Sequence, residues 1–170
     1  MNSLCVAVFA VTGIIAVYSV CPVDWAEYKG ECMYFGHDRR SWLDAENHCR
    51  KLQAYLVTDD NPDKHSFLSK VASVLHSIRQ TAFWIGASDY TIEGSFRWLE
   101  TGYPIGNFSA WGAGKPTRND TNNCVRLFYN GDQFKWEDID CNDRTTYFIC
   151  ERPAPGSASA TTESALVIGK

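Results

Sequence analysis

Apolar and polar residues alternate over Cys21–Phe35 (CPVDWAEYKGECMYF) on both sides of Lys29-Gly30, which predicts a β-hairpin turning at that dipeptide. The period then lengthens. Trp42, Ala45, Cys49 and Leu52 recur at helical spacing, and Ser41 before them, with Asp44 three residues on, approximates a capping box. Tyr55–Val57 reads as a short strand. Asn61-Pro62 opens a second helix, with Asn as cap and Pro at the first helical position; Phe67, Leu68, Val71, Val74, Leu75 and Ile78 form its apolar face. Beyond it the pattern is one of short strands: Phe83–Ala87, Phe96–Leu99, Val125–Tyr129, Phe134–Trp136 and Tyr147–Glu151, with Asn130-Gly131-Asp132 as a turn. Two early helices and many late strands make an α+β domain.

The stretch from Trp111 to Cys141 (WGAGKPTRNDTNNCVRLFYNGDQFKWEDIDC) breaks both periods. It begins as an irregular loop rich in Gly, Asn and Asp, with Pro116 fixing one turn, and ends on the carboxylate pair Glu137 and Asp138. A loop held at both ends by a rigid scaffold is where function concentrates, and clustered oxygen-bearing side chains suit a hard cation or a hydroxyl-rich ligand.

The two ends of the chain differ from the middle. The first 19 residues are uncharged and contain the apolar run Val6–Val17 followed by Ser19, which reads as a secretory signal peptide over 1–19. The run is shorter than the ~20 residues of a spanning helix, so an uncleaved anchor is the weaker reading. After Arg152 the sequence PAPGSASATTESALVIGK predicts a disordered, Ser/Thr/Ala-rich tail over 153–170. The domain lies between, over 20–152.

Seven cysteines accord with export. Cys5 falls in the signal peptide; Cys21, Cys32, Cys49, Cys124, Cys141 and Cys150 remain as an even set, for which fifteen pairings are open on sequence alone. Their spacing excludes a finger-like zinc site. The sequence pI near 5.5 and the lack of a Lys/Arg-rich run argue against a nucleic-acid partner. No GxSxG, HExxH or glycine-rich phosphate loop occurs, so no enzyme is expected. His37, His48, His65 and His76 are scattered and read as surface residues, and His37-Asp38-Arg39-Arg40 as a solvated turn.

In order, a Cys-flanked hairpin, two helices, WIGASD, a WG…P loop, NCV, WED…C and FICE resemble the C-type lectin-like domain in its long form, with an extra N-terminal disulfide. The resemblance covers Cys21 to about Glu151, and WIGASDYTIEGSFRW is similar in particular to invertebrate secreted members, including the perlucin-like proteins of molluscs. It implies two helices with two small antiparallel sheets and a long irregular loop region. It also implies the disulfides Cys21–Cys32, Cys49–Cys150 and Cys124–Cys141.

In sugar-binding members of that family a calcium ion on the long loop coordinates two vicinal sugar hydroxyls. Its side chains are a Glu and an Asn, or Gln and Asp, flanking a cis-proline, a Glu before the next Cys, and an Asn-Asp pair after a Trp. Carried over, the site residues here are Lys115 and Thr117 around Pro116, then Asn122, Glu137 and Asp138, of which only Asp138 matches as it stands. Extracellular calcium sites bind at about 10⁻⁴–10⁻³ M, or about 4–5.5 kcal/mol. An ammonium in place of a carboxylate beside a divalent ion costs roughly several kcal/mol even at an effective dielectric near 20. Lys115 pointing inward therefore empties the site; swung outward, it leaves room for calcium supported by Glu137 and Asp120.

A second, auxiliary calcium site of the family maps onto Asp89 and Glu93, with Asn123 as a third donor; solvated turn carboxylates are the competing reading. Tyr129 or Trp111 would add stacking on a sugar face. Asn107-Phe-Ser and Asn119-Asp-Thr are N-glycosylation acceptors, the latter inside the long loop.

The resulting expectation is a secreted, extracellular C-type lectin-like protein. It binds carbohydrate with calcium as cofactor, in innate recognition of microbial or cell-surface glycans. The carbohydrate contacts would be Lys115, Thr117, Asn122, Glu137 and Asp138. The alternative is a sugar-independent member that binds a protein or mineral surface in a matrix. Membrane insertion is not expected, and oligomerisation is compatible with either reading.

Overall fold

Lys29 and Gly30 both take positive φ, 47° and 83°, and turn β3 (Trp25–Tyr28) directly into β4 (Glu31–Phe35). The pair matches the twist that two-residue hairpin turns require. The computed structural model describes residues 21–156 apart from 118, together with a short antiparallel pairing of β1 (Ala10–Val11) with β2 (Ile14–Ile15). The expected signal peptide otherwise lies outside the described residues, as does the tail from residue 157 onward.

Helix α1 (Trp42–Lys51) starts at Ser41, whose hydroxyl accepts from the Asp44 N–H at 3.3 Å. Its buried stripe of Trp42, Ala45 and Cys49 is the one the periodicity predicts. β5 (Tyr55–Leu56) leads to α2 (Pro62–His76), capped by Asn61 through a 2.9 Å bond from the Lys64 N–H. The apolar face of α2 is shorter than its sequence pattern. Leu68 and Ala72 are buried and Phe67, Val71 and Leu75 pack against the core, but Val74 on the outer side of the helix is 71% exposed and Ile78, beyond its end at His76, is 65% exposed.

The remaining strands are β6 (Ala82–Ser88), β7 (Arg97–Trp98), β8 (Cys124–Tyr129), β9 (Phe134–Ile139) and β10 (Tyr147–Pro153). Leu99, expected in a strand, lies past the end of β7 and is exposed. Sheet order is β3-β4-β10-β6-β8-β9, with β5 on β10 and β7 on β6. The two small antiparallel sheets expected are thus continuous. β10 pairs antiparallel with β4 (Ile149↔Phe35) and parallel with β6 (Phe148↔Trp84), so the last strand joins both halves into one mixed sheet. The strand runs to Pro153, and buried Ala154 donates its N–H to the Gly30 carbonyl at 2.9 Å.

Gly86 in WIGA is required by a close approach. A Cβ there would lie 2.4 Å from the Leu56 carbonyl oxygen, while the Gly86 N–H donates to Val57 at 2.8 Å. Nearby, Trp42 and Trp84 are both buried with their indole N–H groups bonded, to the carbonyls of Ile85 (2.9 Å) and Arg40 (2.8 Å). Arg40 is therefore tied to the core rather than part of a freely solvated turn.

All three disulfides are present as the resemblance implies: Cys21–Cys32, Cys49–Cys150 and Cys124–Cys141. Only His37 of the four histidines is exposed. His48 stacks on Tyr34 and meets Phe148 edge-on, and His76 lies 4.1 Å from the Tyr129 ring. The His65 Nδ1 is 2.7 Å from the buried Asp59 carboxylate. The helices carry these rings against the sheet, which the sequence pattern does not show.

One buried ionic cluster links α2 to the sheet. The Lys64 ammonium pairs with Glu151 and, at 2.9 Å, with Glu31, while Glu151 also accepts from the Thr58 N–H at 2.8 Å. One cation faces two carboxylates, and burial pushes Glu151 up to about 8, against the attraction of Lys64. A carboxyl raised by folding favours the protonated native state, so its stabilisation is complete below its ordinary value and lost as pH rises toward 8. Between pH 5 and 9 stability should therefore fall, with a slope of at most about 1.4 kcal/mol per pH unit. Glu151→Gln should flatten that slope; an unchanged slope in urea melts across this range would contradict the assignment.

Sequence separations of 101 for Cys49–Cys150, 17 for Cys124–Cys141 and 11 for Cys21–Cys32 rank the disulfides by the chain entropy they remove. Replacing both Cys49 and Cys150 by Ala should cost about 4–5 kcal/mol, against about 3 for a short loop. Urea unfolding of the three double variants checks the order, and equal losses would refute it.

Candidate functional site

β8 and β9 form the platform of the site. Their register sets Val125 opposite Asp138 and Arg126 opposite Glu137, and the Cys124–Cys141 disulfide closes the end of the pair. Along β9 the side chains of Phe134, Trp136 and Asp138 are buried and alternate with half-buried Lys135, Glu137 and Ile139. Neighbours on a strand point to opposite faces. Asp138 accordingly turns into the protein, while Glu137 lies half-buried at the strand surface.

Trp136 anchors the long loop to this platform. Its ring is buried among Trp98, Phe108 and Trp111, each edge-on at 5.6 Å. Its indole N–H donates to Asp59 at 2.6 Å. Its backbone accepts from the Gly112 N–H at 2.9 Å and donates to the Ala110 carbonyl at 2.8 Å. The returning loop is thereby laced to the open edge of β9.

The Lys115–Pro116 bond is cis, and the residues on its two sides both reach Asp138. The Thr117 N–H lies 2.9 Å from each Asp138 carboxylate oxygen, and the Thr117 hydroxyl donates to Oδ2. The Lys115 Nζ donates to the Asp138 carbonyl at 3.0 Å, sits 3.3 Å from its Oδ1 and 4.0 Å from Glu137 Oε2. The Asn122 amide donates to the Thr117 hydroxyl oxygen at 3.1 Å. Asp138 is 0% exposed, and the Lys115 side chain is 21% exposed. Lys115 thus points inward.

Glu137 is engaged on its other side. Its Oε1 accepts from Arg126 Nε at 2.6 Å, and Arg126 in turn reaches Thr146 at 3.0 Å. So Lys115, Thr117, Asn122 and Asp138 come together, with Glu137 at the margin. A calcium ion requires several oxygens turned toward one point. Here an ammonium stands among those oxygens, both oxygens of Asp138 hold donors, and Glu137 is bound to a guanidinium. These residues do not fit calcium at the long loop.

The auxiliary set is placed differently. Asp89 is buried; its Oδ2 accepts from the Gly94 N–H at 2.8 Å, while its Oδ1 has no partner. The Asp89 N–H donates to the Asn123 carbonyl at 3.2 Å, and the Asn123 side-chain oxygen is likewise buried and unpartnered. Glu93 lies exposed nearby, and its carboxyl is held above the usual range by partial desolvation and then by the charges of Asp89, Asp120 and Asp138. Among the described residues no three His, Cys, Asp or Glu side chains converge as a metal cluster. The two orphaned oxygens are nonetheless the donors a hard cation takes.

Of the two aromatic candidates, Tyr129 is misplaced. It ends β8 away from the loop, packed on His76 and Phe134. Trp111 is half-buried against Phe96 and lines an open groove of about 390 Å³ with Pro104, Ile105, Ser109 and Pro116. Asn107 and Asn119 are both exposed, and Asn119 Oδ1 accepts from the hydroxyl of Thr121 at 2.9 Å. Sequence reasoning missed Arg126 and Asp59. Arg126 alternates with the core residues Val125 and Leu127, but its pairing with Glu137 shows only once the register is known.

A family model described as the Lectin C-type domain matches residues 38–152. A perlucin-like protein of Mytilus galloprovincialis is 29% identical over 131 residues, covering 76% of this chain and 81% of that protein. The low affinity immunoglobulin epsilon Fc receptor of Homo sapiens is 29% identical over 90% of this chain, which spans only 44% of the receptor. Among solved structures, the cow C-type carbohydrate-recognition domain of CD23, determined in the presence of a GlcNAc2Man3 oligosaccharide, superposes with a TM-score of 0.69. It is 31% identical, over 81% of this chain and 98% of that one.

Because Asp138 satisfies the Thr117 N–H and hydroxyl and a largely buried ammonium, Asp138→Ala should cost about 3–5 kcal/mol, as for a broken buried pair. Thr117→Val, which removes one hydroxyl, should cost about 1 kcal/mol. Urea unfolding of both variants measures this, and a loss below that of Thr117→Val in Asp138→Ala would show that the clasp is not formed.

Proposed function

The chain belongs to the family of C-type lectin domains, and we propose that it is a secreted, extracellular glycan-binding protein whose long loop meets sugar hydroxyls directly rather than through calcium. The observation that carries this reading is the position of the Lys115 ammonium, which holds Asp138 beside the cis-proline where metal coordination would otherwise be needed. Half-buried Thr117 and Asn122 offer hydroxyl and amide oxygens at the surface of the same loop, and Glu137 keeps Oε2 at its edge. The adjoining groove supplies the face of Trp111 and the ring of Pro116 for the apolar side of a sugar. The oligosaccharide present with the cow CD23 domain supports a glycan as ligand class. Microbial or cell-surface glycans, met in innate recognition, fit an exported and disulfide-bonded domain.

Asp89, Asn123 and Glu93 would hold calcium at the auxiliary position, where the ion would supply charge compensation for buried oxygens. Asp89 also bonds Gly94, and Gly94 with Ser95 and Phe96 forms one wall of the groove, so a filled auxiliary position would steady that wall. The exposed sequons at Asn107 and Asn119 would carry N-glycans. One on Asn119, two residues past Thr117, would flank the sugar face.

One observation favours a second reading, a protein- or mineral-binding role. Tyr90, Ile92 and Tyr103, in the loops on either side of β7, are exposed large apolar side chains, and Glu93 next to Ile92 is an exposed carboxylate. Binding to carbonate crystals or to a protein partner, with no glycan retained, would support that role.

A glycan array read in calcium and again in chelator tests the main proposal. Signal that weakens but persists in chelator is the expected result. Complete loss on chelation, or no glycan bound by folded protein, would refute it.

A further inference from the structure

We infer that Lys115 is the resident cation of the long loop: its ammonium takes the charge-balancing place of a metal ion, builds the loop without calcium and turns calcium away. This goes beyond glycan binding, since it concerns what holds the loop whether or not a sugar is present.

Three observations carry it. First, the ammonium is oriented inward by two contacts on one residue, the Asp138 carbonyl at 3.0 Å and Oδ1 at 3.3 Å, with Glu137 Oε2 at 4.0 Å. A long, flexible lysine turned this way is exchanging water for fixed oxygens, which requires negative charge at that point. Second, Asp138 is wholly buried, and a buried carboxylate needs either a proton or a cation beside it. Arg126, on the neighbouring strand, is committed to Glu137 at 2.6 Å and to Thr146. Third, the remaining acceptor capacity of Asp138 is filled by the Thr117 N–H and hydroxyl, so no oxygen of Asp138 is turned to an open position. A divalent ion entering here would displace an ammonium covalently tethered at high local concentration, against direct charge repulsion.

The test separates this loop from the auxiliary position by working in an Asp89→Asn background. With Lys115 intact, that protein should give no saturable calcium heat in calorimetry, and its melting temperature should be the same in calcium and in chelator. Adding Lys115→Gln should lower the melting temperature, because Asp138 loses its counter-charge. Adding Lys115→Glu should install weak, saturable calcium binding and a melting temperature that calcium raises. Saturable calcium binding by the Asp89→Asn protein would overturn the inference. So would a Lys115→Gln protein that melts as its parent does, or a folded Lys115→Glu protein that calcium neither binds nor stabilises. None of these readouts involves a sugar, so they are independent of the glycan array.

Discussion

The buried carboxylate of Asp138 is the constraint around which the long loop is arranged. A charge excluded from water must be met by the protein, and here two hydrogen bonds from Thr117 and an ion pair from Lys115, on either side of Pro116, meet it. Two positions earlier on the same strand face, Trp136 donates to Asp59, and its backbone straps Ala110 and Gly112 to β9. These two inward-facing residues give an otherwise irregular segment its definition. The loop is held by polar satisfaction of a strand edge more than by a core of its own.

That edge is rigid because of what lies behind it. β10 is shared by both halves of the sheet, and Cys150 on it is bonded to Cys49 on α1. The Trp42 N–H, at the start of α1, donates to the Cys141 carbonyl at 2.9 Å, which fixes the far end of the β8–β9 pair to the helix. The scaffold therefore ties the platform to the sheet and to α1 and leaves the loop face free. Function in such an arrangement resides in loop side chains, and these can change chemistry without disturbing the sheet.

Local features were legible in the sequence where the physics is local. Ser41 and Asn61 cap their helices and Lys29-Gly30 makes the hairpin turn, whereas the cysteine pairing, which spans 101 residues for Cys49–Cys150, came from the family resemblance alone. Non-local features were not. The parallel pairing of β10 with β6 depends on strands more than sixty residues apart, and the exposure of the apolar Val74 and Ile78 depends on where the sheet lies against α2. The site was half legible: its residues could be named from the motif, but the direction of Lys115 is set by the burial of Asp138 and the diversion of Glu137 to Arg126. Both follow from the β8–β9 register, which no single stretch of sequence contains.

The replacement of metal by ammonium is the central claim, and a crystal structure of the domain grown in calcium tests it most directly. The account predicts Lys115 Nζ within hydrogen-bonding distance of the Asp138 carbonyl and carboxylate, close to the 3.0 and 3.3 Å found here, with no ion beside Pro116. A metal coordinated by Asp138, with Lys115 turned out to solvent, would contradict it.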